Sequence, residues 1–345
     1  MKQKTIGKSF EFAGKGLHTG LKIRAVFKPA EENTGIRLKR VDLPDHPCYE
    51  ARTEYVSATD RGTVLAHGEW RISTVEHALS ALYALGVTNC LIELDAPEMP
   101  ILDGSAAQFV KAILEAGIVE QEAEAKTYVV RERLLYMTEN GSEYIIEPAE
   151  REEFEVGISF PGKILHDQTA ELKNLENYPS EIASARTFCF VREIAYLLGK
   201  GLIKGGDLQN ALVIYEYPMQ QAQMDKLTDA LGQPRQDATK LGYISPLKYE
   251  NEPARHKLLD LIGDFSLLGV RLQGKITAFR PRHGPNTECA RFLTEKFNIK
   301  SIQHDIEFSI CASGRQDRRN SRDRSVCVHR RQRGDRCRNG RHGQR

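Results

Sequence analysis

Two stretches of this chain follow one plan: "RISTVEHALSALYALGV" at 71–87 and "EPARHKLLDLIGDFSLLGV" at 252–270 each set a histidine early in an apolar helical pattern and close on Leu-Gly-Val. Two such helices need two surfaces to cover them, which points to a pair of similar α+β units. A chain of 345 residues has room for both. Strand-like alternation precedes the helix in each half, in "KSFEFAGKGLH" and "LKIRAVFKP" and again in "SEYIIEP" and "FEVGISFP". A strand and a second helix follow it, "NCLIELDAP" and a helix ending at Gly117, then "GKITAFRP" and "NTECARFLTEKF". The expected fold class is α+β: two units from an internal duplication, each a small, mainly antiparallel sheet, with helices packed between the units. Their expected bounds are 1–126 and 127–308, with an insertion at about 191–216 in the second unit and a separate tail at 309–345.

Local signals refine the helices. Ser73 and Glu76 have the spacing of a capping box, and Gly86 stands where a helix would stop. Asp103 or Ser105 is placed to cap the next helix, with Phe109, Ile113 and Leu114 on its apolar side.

Composition excludes several classes. No apolar run approaches the roughly 18 residues that would span a bilayer, and "MKQKTIGKSFEFAG" has no signal-peptide core, so the expected location is the cytoplasm. Seven cysteines without C-x-x-C spacing argue for reduced thiols rather than a disulfide framework or a zinc ribbon. From Ser309 onward there are 12 Arg, 3 Asp and no Lys or Glu, a net +9, while the preceding residues carry 37 basic against 44 acidic side chains. That tail has too few apolar residues to fold alone. It reads either as an arm for nucleic acid or an anionic membrane or as an out-of-frame end, and the switch to arginine alone favours the second.

The chemistry collects at three places. His256 and Asp260 stand four apart and share a helix face, Glu76 adjoins His77, and His283 lies in "AFRPRHGPN". Each has a plain reading: an i,i+4 hydrogen bond, a capping glutamate beside a core-edge histidine, a solvated loop histidine. Together, two histidines and a carboxylate match a catalytic Zn²⁺ site that keeps its fourth position for water. Fe²⁺ suits the same donors.

The segments "RISTVEHALSALYALG", "ILDGSAAQFV", "SARTFCFVREIAYLLGKGLIKGGD" and "ARHKLLDLIGD" resemble the UDP-3-O-acyl-N-acetylglucosamine deacetylases of lipid A (lipopolysaccharide) synthesis, in order over roughly residues 4–308. The resemblance implies that His77, His256 and Asp260 bind Zn²⁺, that Glu76 is the general base and His283 the general acid, and that Asp264 orients His283. It implies Thr187 as the oxyanion partner, and Lys257, His18, Phe160, Phe188 and Phe190 as substrate contacts. The 191–216 insertion would form an acyl passage lined by Ile194, Leu197, Leu198, Leu202 and Ile203. The implied partner is a UDP-linked acylated amino sugar; no nucleic acid and no membrane span are required. Some members of that family are fused downstream to a hydroxyacyl-carrier-protein dehydratase, and no dehydratase motif stands in the tail. Competing readings are a zinc hydrolase of another N-acyl amino sugar and a non-catalytic nucleic-acid binder using the tail.

Two positions depart from the family pattern. Arg282 stands where a glycine is usual, so it would strain the loop if the backbone there needs φ > 0, and its charge would lower the pKa of His283. Arg61-Gly62-Thr63 replaces a stretch that commonly holds a cysteine near the metal.

Overall fold

Alternating burial builds the sheets. In the strand Lys22–Pro29 the side chains of Ile23, Ala25 and Phe27 turn inward while Lys22 and Arg24 face solvent, the period-two pattern of a sheet covered on one face. The computed structural model describes residues 1–299 apart from 163, 195–199, 208, 231–233 and 298. Leu197, Leu198 and the arginine-rich 309–345 segment therefore lie outside the described residues.

Strands β1 (Phe10–Lys15), β2 (Lys22–Pro29), β3 (Ile36–Arg40), β4 (Cys48–Glu50) and β5 (Cys90–Leu94) assemble in the order β1-β2-β5-β3-β4. β5 enters the middle, antiparallel to β2 and parallel to β3. In the second half, β6 (Leu134–Met137), β7 (Glu143–Glu147), β8 (Glu152–Ile158), β9 (Gln168–Leu172) and β10 (Arg271–Phe279) take the order β6-β7-β10-β8-β9, with β10 antiparallel to β7 and parallel to β8. The loose repeat in sequence is thus a repeat in topology. Each central strand lies between two helices in the chain: α1 (Glu76–Ala84) and α2 (Ala107–Ala116) around β5, then α3 (Glu252–Ser266) and α4 (His283–Lys296) around β10. The strand Lys2–Ile6 pairs with Ile118–Glu124 across the first half, and Thr127–Val129 runs parallel to the start of β10. Among the described residues no helix is long and apolar enough to cross a membrane.

Every residue of α1 is buried, which an amphipathic surface helix could not be. Its partner is α3, which also packs on β8, β9 and α4, and one hydrophobic core runs from Phe27, Leu79 and Leu82 to Phe154, Leu258 and Ile276. The two helices touch at Gly263. A Cβ there would sit 2.2 Å from the carbonyl oxygen of Glu76, so glycine is required by the close approach. In an isolated helix that glycine would cost about 1 kcal/mol against alanine.

Three local expectations are corrected. Residues 70–73 form a strand rather than the start of α1, and Ser73 donates its hydroxyl to the Pro97 carbonyl, so there is no capping box. Asp103 and Ser105 build the turn before α2: Asp103 accepts from the Ser105 N–H and hydroxyl, and the Ser105 hydroxyl oxygen accepts from the N–H of Ala107, the first residue of α2, although the backbone cap position is Ala106. Leu114 is half exposed, because it is off the stripe that Phe109 and Ile113 make at i,i+4 spacing. The stop at Gly86 holds: φ is 74°, Gly86 N–H donates to Tyr83 and Val87 N–H to Leu82, the paired bonds of a Schellman turn.

Candidate metal centre and active site

The crossing of α1 and α3 makes the site. Glu76 and His77 are the first two residues of α1, His256, Asp260 and Asp264 lie on successive turns of α3, and His283 opens α4. All six are buried. Asp260 Oδ1 lies 3.4 Å from His256 Nε2 and 3.9 Å from His77 Nε2 and, among the described residues, accepts no hydrogen bond. A buried carboxylate oxygen without a donor is costly, and one facing two imidazole nitrogens forms with them the donor arrangement of a metal site. The ligand atoms of His77, His256 and Asp260 fall within 4.8 Å of one another, so the donor set fits a zinc ion.

Both histidines are neutral donors, and His256 is also oriented. His256 Nδ1 is 3.0 Å from the Ala185 carbonyl, which can only accept; the proton therefore sits on Nδ1 and the lone pair on Nε2 faces Asp260. Burial holds the pKa of His256 below its ordinary value and pushes that of His77 down to about 3, so both are neutral near pH 7. Burial works against ionisation of Asp260, yet the surrounding His256, Lys257 and His283 outweigh it and hold the group well below the usual carboxylate range.

Glu76 and His283 are tuned in a complementary way. Burial, reinforced by Asp264 and Asp260, pushes Glu76 up to about 7. Burial disfavours the cation on His283, but the carboxylates of Asp264, Asp260 and Glu76 override it and raise its pKa to about 9. His283 Nε2 sits 3.9 Å from Glu76 Oε1 and 3.7 Å from Asp260 Oδ2, and its Nδ1 donates to Asp264 Oδ2 at 3.0 Å. Glu76, Asp260 and His283 form a second convergent set, but a protonated His283 has no lone pair for a cation.

Asp264 is the centre of a network that sequence reasoning did not anticipate. Its Oδ2 also accepts from Asn286 Nδ2 at 2.8 Å and its Oδ1 from the Thr63 hydroxyl at 2.5 Å, while Asn286 Oδ1 accepts from the Tyr144 hydroxyl at 2.6 Å. Thr63 also gives its N–H to Glu76 Oε2 at 3.0 Å. These partners are distant in sequence and carry no local signal for a bond to Asp264: the 61–63 departure placed Thr63 near the site without assigning it a partner, and Gly263, a glycine inside a helical pattern, could have been flagged.

Of the remaining anticipated residues, Lys257, Phe188 and His18 approach this centre. Lys257 Nζ donates to Asp260 Oδ2 at 2.6 Å and lies 5.4 Å from the Phe188 ring centre. Phe160, Phe188 and Phe190 cluster, with centroid separations of 5.4–6.2 Å, and Phe188 approaches the His256 ring. Half-buried Thr187 precedes Phe188, its N–H bonded to the Gly104 carbonyl. His18 is held by its own N–H on Glu98, and a Cβ at Gly62 would lie 3.8 Å from His18 Nε2 and 3.1 Å from Glu76 Oε1. Arg61, with φ of 65°, pairs through its guanidinium with Glu193 at 2.9 Å. The expected strain at Arg282 is corrected: φ is −147°, extended backbone open to any residue, and the side chain is exposed, while His283 retains a raised pKa.

The family model described as UDP-3-O-acyl N-acetylglycosamine deacetylase (LpxC) matches residues 3–229 and 237–295. The chain belongs to this family. A Porphyromonas gingivalis protein named bifunctional enzyme LpxC/FabZ is 48% identical over 308 residues, 88% of this chain and 67% of its own length. Its namesake from Bacteroides thetaiotaomicron is 46% identical over 306 residues, 88% of this chain and 66% of its own. The UDP-3-O-acyl-N-acetylglucosamine deacetylase of Helicobacter hepaticus is 38% identical over 312 residues, 89% of this chain and 96% of its own. The chain spans about two thirds of the length of these bifunctional family members.

Proposed function

We propose that this protein is a zinc-dependent deacetylase that hydrolyses the N-acetyl group of UDP-3-O-acyl-N-acetylglucosamine, releasing acetate and UDP-3-O-acyl-glucosamine for lipid A synthesis. The observation that carries the reading is Asp260 Oδ1, without a hydrogen-bond partner among the described residues, facing His77 and His256, with Glu76 and His283 close by. Bound there, zinc supplies Lewis-acid polarisation of an oxygen and acidification of water.

Glu76, raised to about 7 and steadied at Oε2 by the Thr63 N–H, accepts the proton of the attacking water at Oε1. His283, protonated at neutral pH, delivers a proton from Nε2 to the leaving amine, and Asp264 holds its other nitrogen. The Thr187 hydroxyl donates to the developing oxyanion. Lys257 and the Phe160, Phe188 and Phe190 cluster, with His18, hold the nucleotide sugar, while Ile194, Leu202 and Ile203 take the acyl chain. The reaction belongs to the cytoplasm, a compartment consistent with the free thiols of Cys48, Cys90, Cys189 and Cys289. A downstream second activity in the native gene is part of the proposal, supported by the longer bifunctional family members and tested by sequencing past the codon for Phe308.

The test combines elemental analysis of bound metal with acetate release from the substrate with and without its 3-O-acyl chain. One zinc per chain and acyl-dependent acetate release that Glu76→Ala abolishes are expected. Equal turnover without the acyl chain would assign another N-acyl sugar, iron instead of zinc would revise the metal, and absence of bound metal would overturn the proposal.

A further inference from the structure

Thr63 touches both halves of the acid–base apparatus. It is fully buried, at the end of a loop that leads into the strand Val64–His67, and that strand pairs with Trp70–Ser73 just before α1. The backbone N–H of Thr63 meets Glu76 Oε2, while its hydroxyl meets Asp264 Oδ1 and lies 3.3 Å from His283 Nδ1. His283 and Asn286 both donate to Asp264 Oδ2, so Thr63 is the donor on the other oxygen. With the Thr63 hydroxyl in place the carboxylate has a donor on each side and its plane is fixed; with Oδ2 contacts alone it can swing about that oxygen. Thr63 lies on one side of α3 and Asn286 on α4, so the carboxylate is gripped from two elements at once.

We propose that Thr63 is a positioning residue: its hydroxyl fixes the Asp264 carboxylate, and through it the imidazole of His283, while the same residue's N–H registers Glu76. One residue thereby sets the spacing between base and acid. A threonine provides this and a small apolar residue of equal shape does not, because only the hydroxyl can donate to Oδ1. The inference rests on the deacetylase reading for its kinetic consequence and on geometry alone for its structural one.

The experiment compares Thr63→Val, Thr63→Ala and Thr63→Ser in the zinc-loaded full chain, with three readouts: bound zinc, kcat and KM for acetate release, and the imidazole N–H signals of His283 by ¹⁵N NMR. Misplacing a catalytic group by about 1 Å can cost about 10²-fold, and a loosened carboxylate should cost roughly 10–100-fold. The expected result is a fall of about that size in kcat for Val and Ala with KM and zinc content retained, recovery of most of kcat in Ser, and loss of the His283 Nδ1–H signal to exchange in Val and Ala but not in Ser. Thr63→Ala guards against a Thr63→Val chain that fails to fold around its added methyl. Wild-type kcat in both Val and Ala, an unchanged His283 signal, or failure of Ser to restore activity would overturn the proposal. Loss of zinc in Val and Ala would also overturn it, since Thr63 would then act on the metal ligands. Should the wild-type chain release no acetate, the deacetylase reading fails while the His283 signal still decides the role of Thr63.

Discussion

In the first half, residues 95–106 separate the central strand β5 from α2; in the second, only residues 280–282 separate β10 from α4. The strand order and pairing around these two connections are the same. The long connection carries Glu98, whose carboxylate accepts from the N–H groups of His18 and Thr19 and fixes the turn beside the site. The short one leaves no slack, so α4 begins with its first side chain, His283, already against Asp264. The helices before the central strands differ as well: α1 offers Glu76 and His77 from its first turn, while α3 offers His256, Asp260 and Asp264 along its length. A repeated topology has therefore supplied two scaffolds, and connection length and helix placement have divided the chemistry between them.

Breaking the contribution of α3 should have the largest effect. Asp260→Ala removes the carboxylate that faces both histidines, and the expected outcome is loss of bound zinc and of activity together, with zinc affinity falling beyond the roughly 10–100-fold typical of an outer partner. Glu76→Ala on α1 makes the contrast: zinc is retained and kcat falls by about 10²–10⁴-fold, the range of a lost general base. Elemental analysis beside initial rates checks both, and equal zinc content in the two variants would contradict the division of roles.

The same contrast explains what could be read without coordinates. His256 and Asp260 were legible because a helix converts i,i+4 spacing into adjacency, and both helix repeats were legible from their periodicity. Glu76 was visible, but its spacing to Ser73 suggested a cap; the strand at 70–73 prevents that, and the carboxylate instead accepts from Thr63. Thr63 was placed near the site only through the resemblance, and its bond to Asp264 and the roles of Asn286 and Tyr144 could not be found, because each meets Asp264 or its partner across a different element and no periodicity links them. The strand order was equally hidden: alternation marks a strand but does not say that β5 and β10 insert between two hairpins.

A smaller effect follows from the seam between the halves. Gly263→Ala gains helix propensity of about 1 kcal/mol but forces a methyl onto the Glu76 carbonyl, and overpacking typically costs about 1–3 kcal/mol. The expected net is a loss of up to about 2 kcal/mol in urea unfolding, with a disproportionate fall in kcat, since a displacement of about 1 Å at a catalytic group can cost about 10²-fold. An alanine variant as active and as stable as the parent would show that the helices do not need this approach.

The smallest effect is expected at the short connection itself, where Arg282 borders His283. Without a cation nearby the pKa of His283 is raised to about 9; bound zinc beside Asp260 would lower it, as it would that of Glu76, so if His283 is the acid the activity should fall as pH rises toward about 9. Glu76 must be ionised to accept a proton; its value of about 7 without a cation would be lowered by bound zinc, which puts the acidic limb of kcat/KM at or below 7. If the Arg282 charge opposed His283, Arg282→Gly would move the alkaline limb upward. The exposed guanidinium on extended backbone, set against three buried carboxylates around the imidazole, argues that neither limb moves by more than about 0.3 units and that kcat stays within about 2-fold. An upward move of a full unit would mean that the connection tunes the acid as well as placing it, and the second half would then differ from the first in electrostatics and not only in length.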